Sequence, residues 1–192
     1  MTSARKHSSN HADAVGNNLR ELTHKMHELA ETQPFAQEMI SGKVSNRKYA
    51  TYLWNQHPQY NLLETLAMVH GLLDVRIAPK IHDDYQELWD DDPNQPPLLP
   101  VVKEYMDYLM TIQMDPQKLM AHLYVRHMGD LSGGQMIAKR VPGSGTMYKF
   151  DEDVKILKER IRAKCDDSLA DEANVCFEFA AKMFEQMSEL SE

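Results

Sequence analysis

The chain has 192 residues, 42% of them apolar, with only 8 glycines and 9 prolines; this suits one domain with a sizeable core and argues against a loop-rich or disordered chain. Its 29 acidic residues outnumber the 21 basic ones for a net charge of −8, a poor balance for general nucleic-acid or anionic-membrane binding. Two cysteines, Cys165 and Cys176, lie eleven apart without Cys-x-x-Cys spacing, which speaks against a disulfide framework or structural zinc and fits a reducing compartment.

Residues 1–17 are polar, rich in Ser, His and Asn, and read as a flexible N-terminal arm before a single domain at 18–192. The arm lacks the apolar middle of a signal peptide, and no apolar run approaches the roughly 18–20 residues of a membrane span. A soluble, cytoplasmic protein without an anchor is expected. Leu19, Leu22, Met26 and Leu29 recur at helical steps and predict a first helix with these residues on its buried face. Pro34 closes it, and Phe35 to Ile40 predicts a short helix ended by Gly42. Ser45 caps a long segment from Asn46 to about Leu73. Inside it, Pro58 is expected to kink or break the helix at a cost of about 3 kcal/mol or more. Pro79 opens a helix to about Trp89, and the prolines of the 90–97 loop end it. Segments near 98–112, 116–140, 151–165 and 169–190 follow. No stretch alternates long enough for a sheet, so the fold class is all-α, with seven or eight helices.

One stretch conflicts with its helical surroundings. Gly129, Gly133 and Gly134 put three of the eight glycines into six residues. Each Gly inside a helix costs roughly 0.8–1 kcal/mol against Ala. Either helices pack closely here, or a bent helix lays bare backbone against a flat ligand. Asp130 and Ser132 add polar groups to that wall. No Gly-Lys-Ser/Thr ending follows, so this is not a phosphate loop.

The run GDLSGGQ, preceded by Tyr-x-Arg, resembles the distal-helix signature of the biliverdin-forming heme oxygenases. The resemblance spans about Leu19 to Leu190 and implies a multi-helix bundle holding heme between a proximal and a kinked distal helix. Gly129, Asp130, Gly133 and Gly134 then carry the catalytic wall. Heme iron needs an axial donor, usually His. On the first helix His27 falls at the edge of the apolar face and His24 points outward. Periodicity alone makes His27 an ordinary boundary residue. THKMHELAET, however, resembles the proximal segment of the family, which implies His27 as the iron ligand and Glu31 as the residue orienting its ring.

The remaining site residues rest on the same resemblance. Lys158 and Arg162, an i, i+4 pair that spacing alone reads as solvated, match a propionate clamp, and Arg20 a third cation. Phe177 and Phe184 match pocket walls, with Ala180 between them. Tyr60, Tyr124, Arg126 and Ser132 match distal or pocket positions. The implied reaction opens heme, cofactor and substrate at once, to biliverdin with release of carbon monoxide and iron, the alpha isomer by resemblance. Asp130 is expected to hold ordered water that delivers a proton to the reacting oxygen. Nothing resembles a flavin or nicotinamide site, so electrons come from a partner. A ferredoxin is favoured over a flavoprotein reductase, and a bilin reductase would act downstream. Two basic clusters, Lys43, Arg47 and Lys48 and then Lys139, Arg140 and Lys149, offer a docking surface for an acidic donor. The competing readings are a di-iron carboxylate protein built on Glu21-x-x-His24, a heme carrier and a helical interaction module.

Overall fold

The computed structural model of the protein describes residues 11–89 and 93–191, with side chains from residue 18 onward. Among these the chain forms eight helices of two turns or more and one single-turn helix: α1 His11–Glu31, α2 Pro34–Ser41, α3 Asn46–Val69, α4 Ala78–Leu88, α5 Pro100–Thr111, α6 Pro116–Leu131, α7 Gly134–Ile137, α8 Val154–Ala163 and α9 Ala170–Glu189. No strand occurs among the described residues. Of the expected arm, residues 1–10 lie outside the described residues and 11–17 belong to α1.

Local chemistry sets most boundaries. Proline stands in the first turn of α2, α4, α5 and α6, where its missing N–H is no loss. Ser45 caps α3 through Lys48 N, and Asp115 caps α6 through Gln117 N and Lys118 N. Gly42 ends α2 at φ 71, with Lys43 N bonded back to Glu38 O at 2.9 Å, a left-handed cap that a side chain would strain. The long segment stops at Val69 instead of Leu73, because Leu72 N turns back to Ala67 O. The segment expected over 116–140 divides into α6 and α7.

The expected break at Pro58 does not occur, and α3 runs through it continuously. Two amides flank the proline, and both donate to carbonyls one turn back: Asn55 to Thr51 O and Gln59 to Asn55 O, each at 2.8 Å. The helix is also clamped by α4, α5 and α6, and this packing outweighs the local penalty.

Two apolar clusters make the core. One joins α2, α3 and α4 to the end of α9 through Phe35, Tyr49, Leu53, Ile81 and Met183. The other joins α1, α3, α5, α6, α8 and α9 through Leu19, Leu63, Tyr105, Leu123, Ile161 and Cys176. Both cysteines are buried and free. On α1 the buried face differs from the expected one. Leu19, Thr23 and Ala30 face the core, whereas Leu22 is 52% and Leu29 46% exposed. Thr23 is tolerated inside because its hydroxyl donates to Leu19 O at 2.9 Å. The buried arc is thereby rotated toward the side of the helix that carries His27. Among the described residues no helix is long and apolar enough to cross a membrane.

Candidate functional site

The α6 helix ends where its glycines begin to act. Ser132 leaves helical geometry at φ −114, ψ −90, and α7 restarts at Gly134. None of Gly129, Gly133 and Gly134 has positive φ, so the need for glycine here is spatial. Gly129 and Gly133 are exposed. An added Cβ would meet nothing within 4 Å at Gly129 and only the Gly129 carbonyl, at 3.9 Å, at Gly133. At Gly134 the same atom would lie 2.7 and 2.8 Å from the ring of Tyr148. Gly134 therefore serves close packing, while Gly129 and Gly133 leave backbone bare on an open face. Gln135 clasps the bend, donating to Asp130 O and Tyr148 O.

Behind the bare backbone lies a buried polar seam between α3 and α6. The Tyr60 hydroxyl donates to Asp130 Oδ2 at 2.8 Å. Burial pushes the Asp130 carboxyl up to about 6, against the Tyr60 hydrogen bond and the charges of His127 and Arg126, which pull it down. Arg126 donates to Gln56 Oε1 and Gln59 Oε1, both at 3.0 Å. Its guanidinium lies 4.6 Å over the Tyr105 ring and 5.6 Å over that of Tyr60. Gln56, Gln59, Glu64, Tyr105 and His127 were absent from the sequence-derived site. A signal existed: Tyr52, Gln56, Tyr60 and Glu64 recur every four residues on α3, as do His122, Arg126 and Asp130 on α6.

The α1 side, which carries His27, is more open. His27 is half exposed, with Nε2 3.1 Å from Glu31 Oε1 and its ring edge-on to Phe177 at 5.4 Å. His24 points to solvent and pairs with Glu28, so Glu21-x-x-His24 does not face a metal site. Phe184 lies farther along α9, 6.1 Å from Tyr52, the acceptor of a hydrogen bond from Gln56. α9 packs on both α1 and α6, which have little direct contact of their own, and so forms a floor between them. Ala180 is half-buried on that floor, and Ser132 is exposed at the bend.

Tyr124 stands apart from Asp130. Burial raises its hydroxyl, followed by Cys165, and Arg162 and Arg20 pull it back. It thus belongs with cations from α8 and α1 rather than with Arg126. Arg20 and Arg162 are exposed and Lys158 is half-buried; no carboxylate partner pairs with them among the described residues. Arg20 is two helical turns from His27, about 10 Å along α1. A separate cavity of about 410 Å³ between α1 and α9, lined by Leu29, Gln33 and Glu178 among others, touches neither His27 nor the glycines.

Residues 13–186 match the family model described as heme oxygenase. The chain is 29% identical, over a 214-residue alignment, to the heme oxygenase of Pyropia yezoensis, covering 93% of this chain and 88% of that protein. It is 31% identical to heme oxygenase 2 of Synechocystis sp. over 183 residues, covering 82% of this chain and 72% of that protein. Among solved structures it superposes on heme oxygenase-1 from the cyanobacterium Synechocystis sp. in complex with heme, with a TM-score of 0.78 at 25% identity, covering 88% and 90% of the two chains. The heme oxygenase of Leptospira interrogans gives 0.79 at 25% identity, covering 88% and 98%.

The two kinds of glycine should separate in stability measurements. Gly129→Ala adds a methyl to open space within α6 and should raise unfolding stability by about 0.5–1 kcal/mol. Gly134→Ala drives a methyl into Tyr148 and should lower it by about 1–3 kcal/mol. Urea denaturation of the two variants beside the parent protein measures both signs.

Proposed function

The chain belongs to the heme oxygenase family, and on that premise we propose that it binds heme as cofactor and substrate, with His27 as the iron ligand, and opens it to biliverdin with release of carbon monoxide and iron. The observation that carries this reading is the bare backbone of Gly129 and Gly133 on an open face, flanking a buried carboxyl at Asp130. The other residues fit a flat, dianionic ligand. His27 offers a half-exposed imidazole held by Glu31, and Phe177 meets it edge-on. The unpaired Arg20, Lys158 and Arg162, with Tyr124 among them, suit two carboxylates at one edge.

Bound heme supplies the iron centre at which dioxygen is reduced and activated. The protein's share is positional and protonic. Glu31 accepts from one ring nitrogen of His27, which fixes the imidazole plane and leaves the other nitrogen as donor. Gly129 and Gly133 allow the α6 backbone to lie close over the macrocycle. Tyr60 donates to one oxygen of Asp130 and leaves the other free to hold water. A carboxyl near 6 exchanges protons readily at neutral pH. Arg126 cannot titrate there; it fixes Gln56 and Gln59 behind Tyr60 instead. The cations at Arg20, Lys158 and Arg162 set the in-plane rotation of the ligand and hence the carbon attacked.

Added hemin should bind one per chain with a sharp Soret band, and reductant with air should convert it to biliverdin. His27→Ala should lose that ligation and regain much of it with added imidazole. Asp130→Asn should keep heme but lower the biliverdin yield by about 10²-fold, the lower range of acid–base contributions. Wild-type yield from Asp130→Asn would remove its role.

Charge reversal at the clamp tests orientation. Lys158→Glu or Arg162→Glu should change the ratio of biliverdin isomers read by chromatography. Unchanged ratios in both variants would place the propionates elsewhere.

Electrons come from a ferredoxin docking on the basic surface beside the site, and a bilin reductase receives the product. The two basic clusters meet in space: Arg140 donates to Ile40 O, and Gly42 packs on the Arg140 backbone. Not all six charges are available for docking. Lys48 is paired with Glu38 at 2.9 Å, and Arg47 lies 4.2 Å over the Trp89 ring. Lys43, Lys139, Arg140 and Lys149 remain exposed. Ferredoxin-driven turnover should fall steeply with added salt, because the Debye length is already about 8 Å at physiological ionic strength. Lys43→Glu with Lys139→Glu should slow it without weakening heme binding.

A further inference from the structure

The helix that carries Asp130 holds a second enclosed ionisable residue without a part in the steps above. His127 lies three positions before Asp130 on α6 and is 1% exposed. Its Nε2 is 3.2 Å from Oε1 of Glu64, whose side chain has no exposure at all. Glu64 is held in turn by the start of α4. Its carboxylate accepts from Ile77 N at 2.7 Å and Ala78 N at 3.2 Å, with Arg76 Nε 3.7 Å away. Two backbone donors at a helix N-terminus hold the Glu64 carboxyl in place, and it in turn fixes the ring of His127 through Nε2. The His127 ring also stacks on Tyr60, with centroids 6.1 Å apart and planes at 28°. Tyr60 is the donor to Asp130. The contacts form a closed circuit: Glu64 holds His127, His127 backs Tyr60, Tyr60 reaches Asp130, and α6 returns to His127. A buried ion pair is a weak source of stability compared with apolar packing, so stability alone does not explain this one.

We propose that His127, held by Glu64, is a positioning residue for Asp130, setting the ring plane of Tyr60 and placing an imidazole one helical turn from the carboxyl. The catalytic consequence rests on the heme oxygenase reading, whereas the electrostatic part belongs to the protein alone. Every charged or titratable neighbour that bears on Asp130 is placed. From α3 come Tyr60 and Glu64, with Tyr49 and Tyr52 beyond; from α6, Arg126 and His127; from the turn after α7, Tyr148. Burial holds the hydroxyls of Tyr49, Tyr52 and Tyr148 neutral. Burial likewise drives the Asp130 carboxyl up to about 6, and His127 is among the groups that pull it down. Removing the imidazole must therefore raise it further.

The test is a carbon-13 NMR titration of aspartate carboxyls in the heme-free protein, with Asp130 assigned by loss of its signal in Asp130→Asn. His127→Phe keeps a ring against Tyr60 without the ring nitrogens. His127→Gln keeps an N–H donor for Glu64 and carries the test if the Phe variant fails to fold. In both, the Asp130 midpoint should move up from near 6 by about one unit. In the heme-loaded protein the acidic limb of the rate–pH profile should move up by the same amount. An unmoved Asp130 midpoint in a natively folded variant overturns the proposal. An upward shift in the heme-free protein, combined with no heme breakdown by the parent, supports His127 acting on Asp130 and rejects the enzymatic reading instead.

Discussion

The interior is organised around one buried positive charge, that of Arg126. A guanidinium taken out of water costs several kcal/mol unless its donors are met, and Arg126 is only 6% exposed. Its compensation comes from amide oxygens and aromatic faces, with no carboxylate in direct contact: Gln56 and Gln59 accept its hydrogen bonds, and Tyr105 and Tyr60 lie under its plane. All but Tyr105 of these partners sit on α3, so the requirement to satisfy one side chain of α6 fixes the facing residues of another helix. Tyr60, held between the guanidinium and His127, is then aimed at Asp130.

The seam also explains how the glycine bend can be open in front and firm behind. Gln135 ties the carbonyl of Asp130 to that of Tyr148, and the Tyr148 ring fills the space a side chain at Gly134 would need. The turn bearing Tyr148 is itself anchored: Asp84 of α4 accepts from Thr146 N at 2.7 Å and Met147 N at 2.8 Å. Support runs from α4 through this turn to α7, while the opposite face of Gly129 and Gly133 carries nothing. Backbone is thus displayed at a defined position without being crowded, which a ligand lying flat against it requires.

The two sides of the site are built to different standards. The distal side is enclosed and hydrogen-bonded, and its carboxyl is displaced from the ordinary carboxylate range by burial. The proximal side is a half-exposed imidazole with a single carboxylate neighbour and a single ring contact. Arg20, Lys158 and Arg162 add unpaired positive charge to a chain that is acidic overall. On the proposed reading, the enclosed side would govern proton delivery and the open side would need only to orient the iron ligand.

The local sequence determined the all-helical fold, most helix boundaries, the i, i+4 contact of His27 with Glu31 and the bend across Gly129–Gly134, because caps, prolines and glycine clusters act over one or two helical turns. It did not determine which way the helices face. Leu22 and Leu29 lie outside while Thr23 lies inside, since the neighbours of α1, not its own pattern, decide the buried arc. Pro58 leaves α3 intact because packing on several sides offsets a local penalty. The polar residues at 52, 56, 60 and 64 have the spacing of a solvated stripe, and only the approach of α6 with Arg126, His127 and Asp130 turns them into an interior seam. Burial is a property of two surfaces brought together, so a four-residue polar repeat reads the same in sequence whether it meets water or another helix.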